Sequence, residues 1–130
     1  MAERQRNFRQ EILNCVRGEL PGWDRIAAAK TDFEEVNAIA ALRKRTRASE
    51  KPAFDMALKE LLTDPTLVVD ELGILLYYAI TEEFDEAEPE ILVLQERPIV
   101  TNNPPLREMI ERYLEYLRLD REDSRSYLGE

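Results

Sequence analysis

The segment from residue 66 to residue 84, TLVVDELGILLYYAITEEF, constrains the fold more than any other part of the sequence. At 3.6 residues per turn it predicts a helix that is apolar around most of its circumference, with a polar face limited to Asp70, Glu71 and Thr81. The residues predicted to face inward are Leu67, Val68, Leu72, Leu75, Leu76, Ala79 and Ile80. Such a helix must be surrounded by other elements, so we expect it to be the central one.

Four further main helices are predicted around this segment. Phe8, Ile12, Val16 and Leu20 recur at spacings of four, which is typical of one apolar helix face. The other helices are expected over residues 32–46, where Thr31 and Glu34 form a capping pair, over 52–62, and from Pro104 onward after the cap Asn103. Trp23 follows the break at Pro21 and Gly22, and is expected to anchor a short helix or turn against the core.

The predicted fold is a compact all-α bundle of about five helices. With only 4 glycines in 130 residues, the chain lacks the many tight turns of an all-β fold. We expect one domain over residues 1–120 and a polar, frayed tail over 121–130. Residues 91–100 carry a short apolar run followed by Pro98, which excludes one continuous helix, so we predict an extended segment or half of a hairpin there.

The residue types exclude most catalytic chemistry. There is no histidine and one cysteine, Cys15, which removes the commonest general base, the usual zinc ligands and the Ser-His and Cys-His pairs. The glycines are too far apart to form a phosphate loop, and the acidic stretch has no glycine to shape a calcium loop. We therefore expect no enzyme, cofactor or metal site, and an enzyme using only carboxylate, tyrosine and lysine chemistry is the weaker alternative.

Charge is distributed unevenly along the chain. Of the net charge of −9, residues 1–50 contribute +2, from 10 basic and 8 acidic residues, and residues 51–130 contribute −11, from 8 and 19. No basic residue occurs between Lys59 and Arg97. This field repels nucleic acid and anionic lipid and attracts basic proteins, so a basic protein partner is expected. The charged amino terminus does not resemble a secretory signal, and a cytoplasmic location is expected.

The densest charge lies in the stretch TEEFDEAEPE, residues 81–90. It is interpreted either as a solvated connector or as a docking surface for something basic. The candidate partner-binding residues are Glu82, Glu83, Asp85, Glu86 and Glu88, with Phe84 and Tyr78 as apolar anchors. Acids beside an apolar anchor combine electrostatic steering with desolvated contact, which is typical of tight interfaces.

A secondary basic patch closes the predicted helix 32–46. It consists of Arg43, Lys44, Arg45 and Arg47. Cations at a helix carboxyl end are favourable in themselves, and the alternatives are a contact with phosphate or with an acidic surface.

Two functions are consistent with the charge distribution and the absence of catalytic groups. The first is a stoichiometric inhibitor of a basic protein, either immunity- or antitoxin-like or a mimic of nucleic acid. The alternative is a homo-oligomeric structural subunit, assembly chaperone or adaptor, in which this patch meets the acids of a second copy.

Overall fold

A computed structural model describes residues 7–18 and 34–127 of the chain, with side chains described to residue 122. Within these ranges the protein is helical, with seven α-helices and no strand. The helices are α1 (Phe8–Val16), α2 (Glu34–Arg45), α3 (Lys51–Leu62), α4 (Val69–Thr81), α5 (Glu88–Gln95), α6 (Pro98–Thr101) and α7 (Pro104–Tyr127). Short 3-10 turns at Ala48–Glu50 and Asp85–Ala87 precede α3 and α5. The predictions for Leu20, Trp23 and the Thr31 cap lie outside the described residues.

The α4 helix is the central element, as its composition predicts. It contacts α1, α2, α3 and α7, and Leu72, Leu75 and Leu76 are almost fully buried. The prediction for Val68 is wrong, because this residue is exposed at the start of the helix. The Glu71 carboxylate accepts a hydrogen bond from the Val68 N–H at 3.1 Å, which satisfies one of the unpaired donors at the helix start.

Three outer helices bury the faces that their spacing predicts. In α1, Phe8, Ile12 and Val16 are buried, and the Phe8 ring meets Phe54 of α3 edge to face with centroids 5.6 Å apart. In α3 the buried residues recur at helical spacing and are Phe54, Ala57, Leu58, Leu61 and Leu62. In α7 the buried residues are Leu106, Ile110, Tyr113 and Leu117, while Met109 and Leu114 pack partly buried against them. The α7 backbone continues to Tyr127, through most of the segment for which a frayed tail is predicted.

The extended segment predicted for residues 91–100 is wrong, because this region forms α5 and α6. Pro89 lies in the first turn of α5, where its missing N–H has no helical partner to lose. Ile91 and Leu94 are three positions apart and bury one helix face, while Leu92 and Val93 are exposed, so the apolar run carries no helical period. Pro98 does interrupt the helix, since α5 ends at Gln95 and α6 begins at Pro98. These two helices raise the count from about five to seven.

No helix in the described ranges is both long and apolar enough to cross a bilayer. Gly73 lies inside α4, where a glycine costs about 1 kcal/mol relative to alanine. A β-carbon at this position would lie 3.8 Å from Leu106 Cδ2, which is ordinary van der Waals contact. The packing of α7 on α4 therefore does not require a glycine here.

Candidate functional site

The acidic stretch folds into an ordered connection between α4 and α5, and we call residues 82–88 the acidic turn. The α4 helix ends in a Schellman motif: the Phe84 N–H donates to the Ala79 carbonyl at 2.9 Å and the Glu83 N–H to the Ile80 carbonyl at 3.3 Å. Glu83 adopts a φ of 53°, the left-handed position at which glycine is usual. The direction of the chain after α4 is thus fixed by backbone hydrogen bonds.

The acidic turn is also tied to the C-terminal helix. Phe84 is the centre of an inverse γ-turn, with φ −81° and ψ 77°, in which the Asp85 N–H donates to the Glu83 carbonyl at 2.9 Å. The hydroxyl of Tyr113, fully buried in α7, donates to the Phe84 carbonyl at 2.6 Å. Burial raises the pKa of this hydroxyl, with smaller contributions from Asp85 and Glu88, so it remains a donor. The turn is therefore a rigid part of the fold.

The two predicted apolar anchors lie in the core rather than on the surface. Phe84 is 7% exposed and Tyr78 is 3% exposed, and their rings meet edge to face with centroids 6.5 Å apart. This is the apolar contact across the helix end that accompanies a Schellman motif, since Phe84 is the last residue of the motif and Tyr78 lies one residue before its first carbonyl, that of Ala79. Both residues line the cleft described below but expose little of their rings, so their assignment as protruding surface anchors needs correction.

The carboxylates of the acidic turn point to two sides of the molecule. Glu82, Glu83 and Glu86 are exposed and line a cleft between the turn and α2 and α3. Asp85 and Glu88 lie near α7, where the carboxylate of Glu88 accepts from Arg121 at 2.7 Å. Burial and then the charge of Asp85 raise the pKa of Tyr116, also on α7, to about 12. The ion pair with Arg121 partly neutralises the charge of Glu88.

The cleft, which we call the charged cleft, has a volume of about 520 Å³ and carries charges of both signs. Arg43 and Lys44 of the basic patch and Lys51 of α3 line it together with the acids. The structure thus brings together two groups that the sequence analysis treated separately. No ion pair joins them across the cleft in the described part of the chain, so the attraction between them acts at longer range.

The basic patch is divided among several environments. Arg43 makes two parallel hydrogen bonds to the Asp55 carboxylate, at 2.7 and 2.9 Å, and the bond to Asp55 raises the pKa of Arg43. This ties α2 to α3. Lys44 and Arg45 are exposed in the last turn of α2, where cations face its unpaired carbonyls, and Arg47 is exposed just beyond. At least Arg43 therefore serves the fold.

Two other acids, Asp64 and Glu71, precede the acidic turn in the sequence and, unlike its exposed carboxylates, are paired with arginines. Arg17 of α1 donates to the Glu71 carboxylate at 2.7 Å, and Arg9 of α1 pairs with Asp64. The bond from Arg17, and then that from the Val68 N–H, lowers the pKa of Glu71. Hydrogen bonds from the Thr66 hydroxyl and N–H, followed by the charge of Arg9, lower the pKa of Asp64. Asp64 holds α1 to the connection between α3 and α4, and Glu71 holds it to the first turn of α4. We call these two residues the paired acids.

The described residues contain no group of three or more histidine, cysteine or acidic side chains that could hold a metal ion. Comparison of the chain with protein-family models, with curated proteins and with solved structures gave no match. The interpretation of the site therefore depends on its own geometry.

Sequence reasoning missed the residues that hold the site in place. Tyr113 lies at a core-facing position of α7, and its spacing does not indicate that its hydroxyl fixes the acidic turn. Asp55 carried no signal, since its pairing with Arg43 joins two helices and has no fixed spacing along the chain. The end of α4 could have been recognised, because aromatic residues six apart, Tyr78 and Phe84, flank the helix end as the apolar contact of a Schellman motif does.

Proposed function

We propose that this chain is a non-enzymatic protein that binds a basic protein partner through the acidic turn and acts as its stoichiometric inhibitor. The observation that carries the proposal is a rigid turn whose apolar side chains are buried and whose carboxylates are exposed. Glu82, Glu83 and Glu86 form no ion pair with any residue in the described ranges. Exposed carboxylates on a fixed backbone require little ordering when a cationic surface arrives.

The strain at Glu83 supports the same proposal. A non-glycine residue in the left-handed region costs about 1–2 kcal/mol, and a glycine there would serve the Schellman motif better. The chain carries a glutamate instead, which adds charge to the turn. Strained backbone positions cluster at functional sites, so this outlier favours a docking surface over a connector that is merely solvated.

Electrostatics then determine how such a partner would bind. The acids of the turn belong to the half of the sequence with a charge of −11, so a basic partner is attracted over about a Debye length, ~10 Å at 0.1 M salt. Charges at the rim of an interface mainly accelerate association, and this effect is screened by salt. The proposal therefore predicts a one-to-one complex whose association slows steeply as salt is added.

The test compares two charge-reversed variants with equal net charge. One carries Lys in place of Glu82, Glu83, Asp85 and Glu86. The matched control carries Lys at four exposed acids on other helices, namely Glu60, Asp70, Glu111 and Asp120. Each set of four reversals changes the net charge from −9 to −1. Wild-type protein is used at low salt to capture its partner from the native host, and mass spectrometry identifies it.

With the purified partner, light scattering gives the stoichiometry and stopped flow gives the association rate at several salt concentrations. We expect a one-to-one complex, a loss of affinity of about 100-fold or more in the turn variant, and a much smaller loss in the control. An equal loss in both variants would mean that net charge alone is recognised and would refute the proposed site. Circular dichroism of both variants verifies that the helices are retained.

The alternative, a homo-oligomeric subunit, predicts that the basic patch of one copy meets the acidic turn of another. Within one chain, Arg43 and Lys44 already share the charged cleft with Glu82 and Glu83, so contact with a second copy competes with attraction inside the chain. Sedimentation velocity over a wide range of dilution and salt decides between the two. A constant monomer mass excludes the alternative.

A further inference from the structure

The surface face of α5 carries two neighbouring apolar side chains that are about half exposed. Leu92 is 45% exposed and Val93 is 53% exposed, and Pro89 and Glu96 are exposed with them. Positions 89, 92, 93 and 96 follow the spacing i, i+3, i+4, i+7 and therefore form one ridge along the helix. We call Pro89, Leu92 and Val93, with Glu96 at their end, the α5 ridge.

The fold itself does not use the α5 ridge. The opposite face of the helix buries Ile91 and Leu94, and α5 packs on α3 and α7. On α7, by contrast, most outward positions are charged and form pairs such as Arg112 with Glu108, although Leu119 is also exposed. Two neighbouring apolar side chains on a helix surface, beside polar residues, offer a small apolar contact that a partner could cover.

The charges around the ridge indicate the chemistry of that partner. Residues 88–96 contain three acids and no basic residue, and the acidic turn leads directly into α5. Glu88 is paired with Arg121, but Glu90 Oε1 is buried without a hydrogen-bond partner in the described part of the protein. Glu90 lies three residues before Val93, so its carboxylate borders the ridge. The acids around the ridge attract an incoming ammonium or guanidinium group.

A second copy of the chain fits the ridge poorly. A two-fold interface places the same surface against itself, so the acids that border the ridge in one copy would meet those of the other. An anionic lipid surface meets the same repulsion. A helix with one apolar face and basic flanks satisfies both the apolar ridge and its acidic border, in the manner of an amphipathic helix that docks by anchors at i, i+3, i+4 and i+7.

We propose that the α5 ridge is the apolar docking site for a basic amphipathic helix of the partner, with the acidic turn beside it supplying the attraction. This inference rests on the proposed function and completes it, because Phe84 and Tyr78 are buried and cannot supply the anchor. Leu92 and Val93 take that role. The turn is then expected to govern association and the ridge to govern dissociation.

The test uses two synthetic helical peptides of equal length and charge as probes. One is a Leu/Lys peptide with leucines at i, i+3, i+4 and i+7, and the other is an Ala/Lys peptide with alanine at those positions. The variant of the ridge is Leu92→Ser with Val93→Ser. The matched control is Met56→Ser with Leu119→Ser, since these side chains are 55% and 51% exposed on α3 and α7. Titration calorimetry measures binding to all three proteins.

We expect the wild type to bind the Leu/Lys peptide about tenfold or more tightly than the Ala/Lys peptide, from the apolar area of two half-exposed side chains. The ridge variant should lose this preference and keep its affinity for the Ala/Lys peptide, and the control should keep both. A preference that survives in the ridge variant, or that disappears equally in the control, would overturn the inference. A change in the mass of the free protein on mutating the ridge would assign the surface to a second copy instead.

Failure of the proposed function has a separate signature. If the acidic turn does not attract cations, the charge-reversed turn variant will bind the Ala/Lys peptide as well as its charge-matched control does. Failure of the ridge inference leaves that difference intact and removes only the dependence on Leu92 and Val93. Because both substitutions lie at exposed positions, the thermal midpoint should stay near that of the wild type.

Discussion

Two groups of acids from the same basic-free interval, Lys59 to Arg97, have different roles in the structure. The paired acids, Asp64 and Glu71, are bound by Arg9 and Arg17 of α1 and hold that helix in place. The acids of the turn that line the charged cleft form no ion pair with any described residue. The acidic residues of one continuous charged interval therefore do not share a single structural role. Part of it maintains the fold, and the remainder is left exposed at one place.

The sharpest way to test this division is to remove the apolar part of the acidic turn. Phe84→Ala should lower the free energy of unfolding by about 3–5 kcal/mol, because it empties a buried site against Tyr78. Urea denaturation followed by circular dichroism measures the change. A variant with wild-type stability would mean that Phe84 is a surface group, as its sequence context first indicated, and that the turn is not anchored in the core.

A smaller effect separates the two groups of acids directly. Glu71→Gln should lower the free energy of unfolding by about 1–2 kcal/mol, because it removes the charge that Arg17 and the Val68 N–H stabilise. The matched change Glu82→Gln, in the acidic turn, should alter stability by less than about 0.5 kcal/mol. The same urea titration serves for both. Equal losses would show that the turn's carboxylates also support the fold.

The paired acids also predict the direction of the pH dependence. Their pKa values are lowered in the folded state, so the unfolded chain binds protons first as the pH falls. Their stabilising contribution is complete above the usual carboxyl range near pH ~4 and is lost as the pH falls through the lowered folded values. Urea midpoints between pH 7 and 3 should therefore fall less in Glu71→Gln than in the wild type. An identical decrease in both proteins would contradict the assigned role of Glu71.

The fold was more predictable from sequence than the site. Helical spacing was sufficient for α1, α3, α4 and α7, because each buries one face with a period near 3.6 residues. It failed for α5, where Leu92 and Val93 fill surface positions with apolar residues and so remove the period. A departure from the pattern of a stable surface helix is expected where a protein binds something. The failed prediction and the proposed ridge therefore arise from the same two residues.

The positions of the charges could be predicted only in part. The acids of the turn and the basic patch were recognised as groups, since each is continuous in sequence. Their common location in the charged cleft depends on how α2 and α4 pack, and no spacing along the chain encodes it. The burial of Tyr78 and Phe84 likewise follows from the Schellman motif and the Tyr113 hydroxyl, which are properties of the folded backbone.

The smallest expected effect concerns Glu83, where the requirements of fold and proposed function conflict. Glu83→Gly should raise the free energy of unfolding by about 0.5–1 kcal/mol, because relief of the left-handed strain exceeds the added entropy of the unfolded chain. Glu83→Ala is the matched control, since it removes the same charge and keeps the β-carbon. Precise urea titrations of the two variants isolate the backbone contribution. If glycine is no more stabilising than alanine, the strain is absent and no longer supports a functional role for this turn. If glycine stabilises the protein yet weakens capture of the partner, the glutamate is retained for binding at the expense of stability.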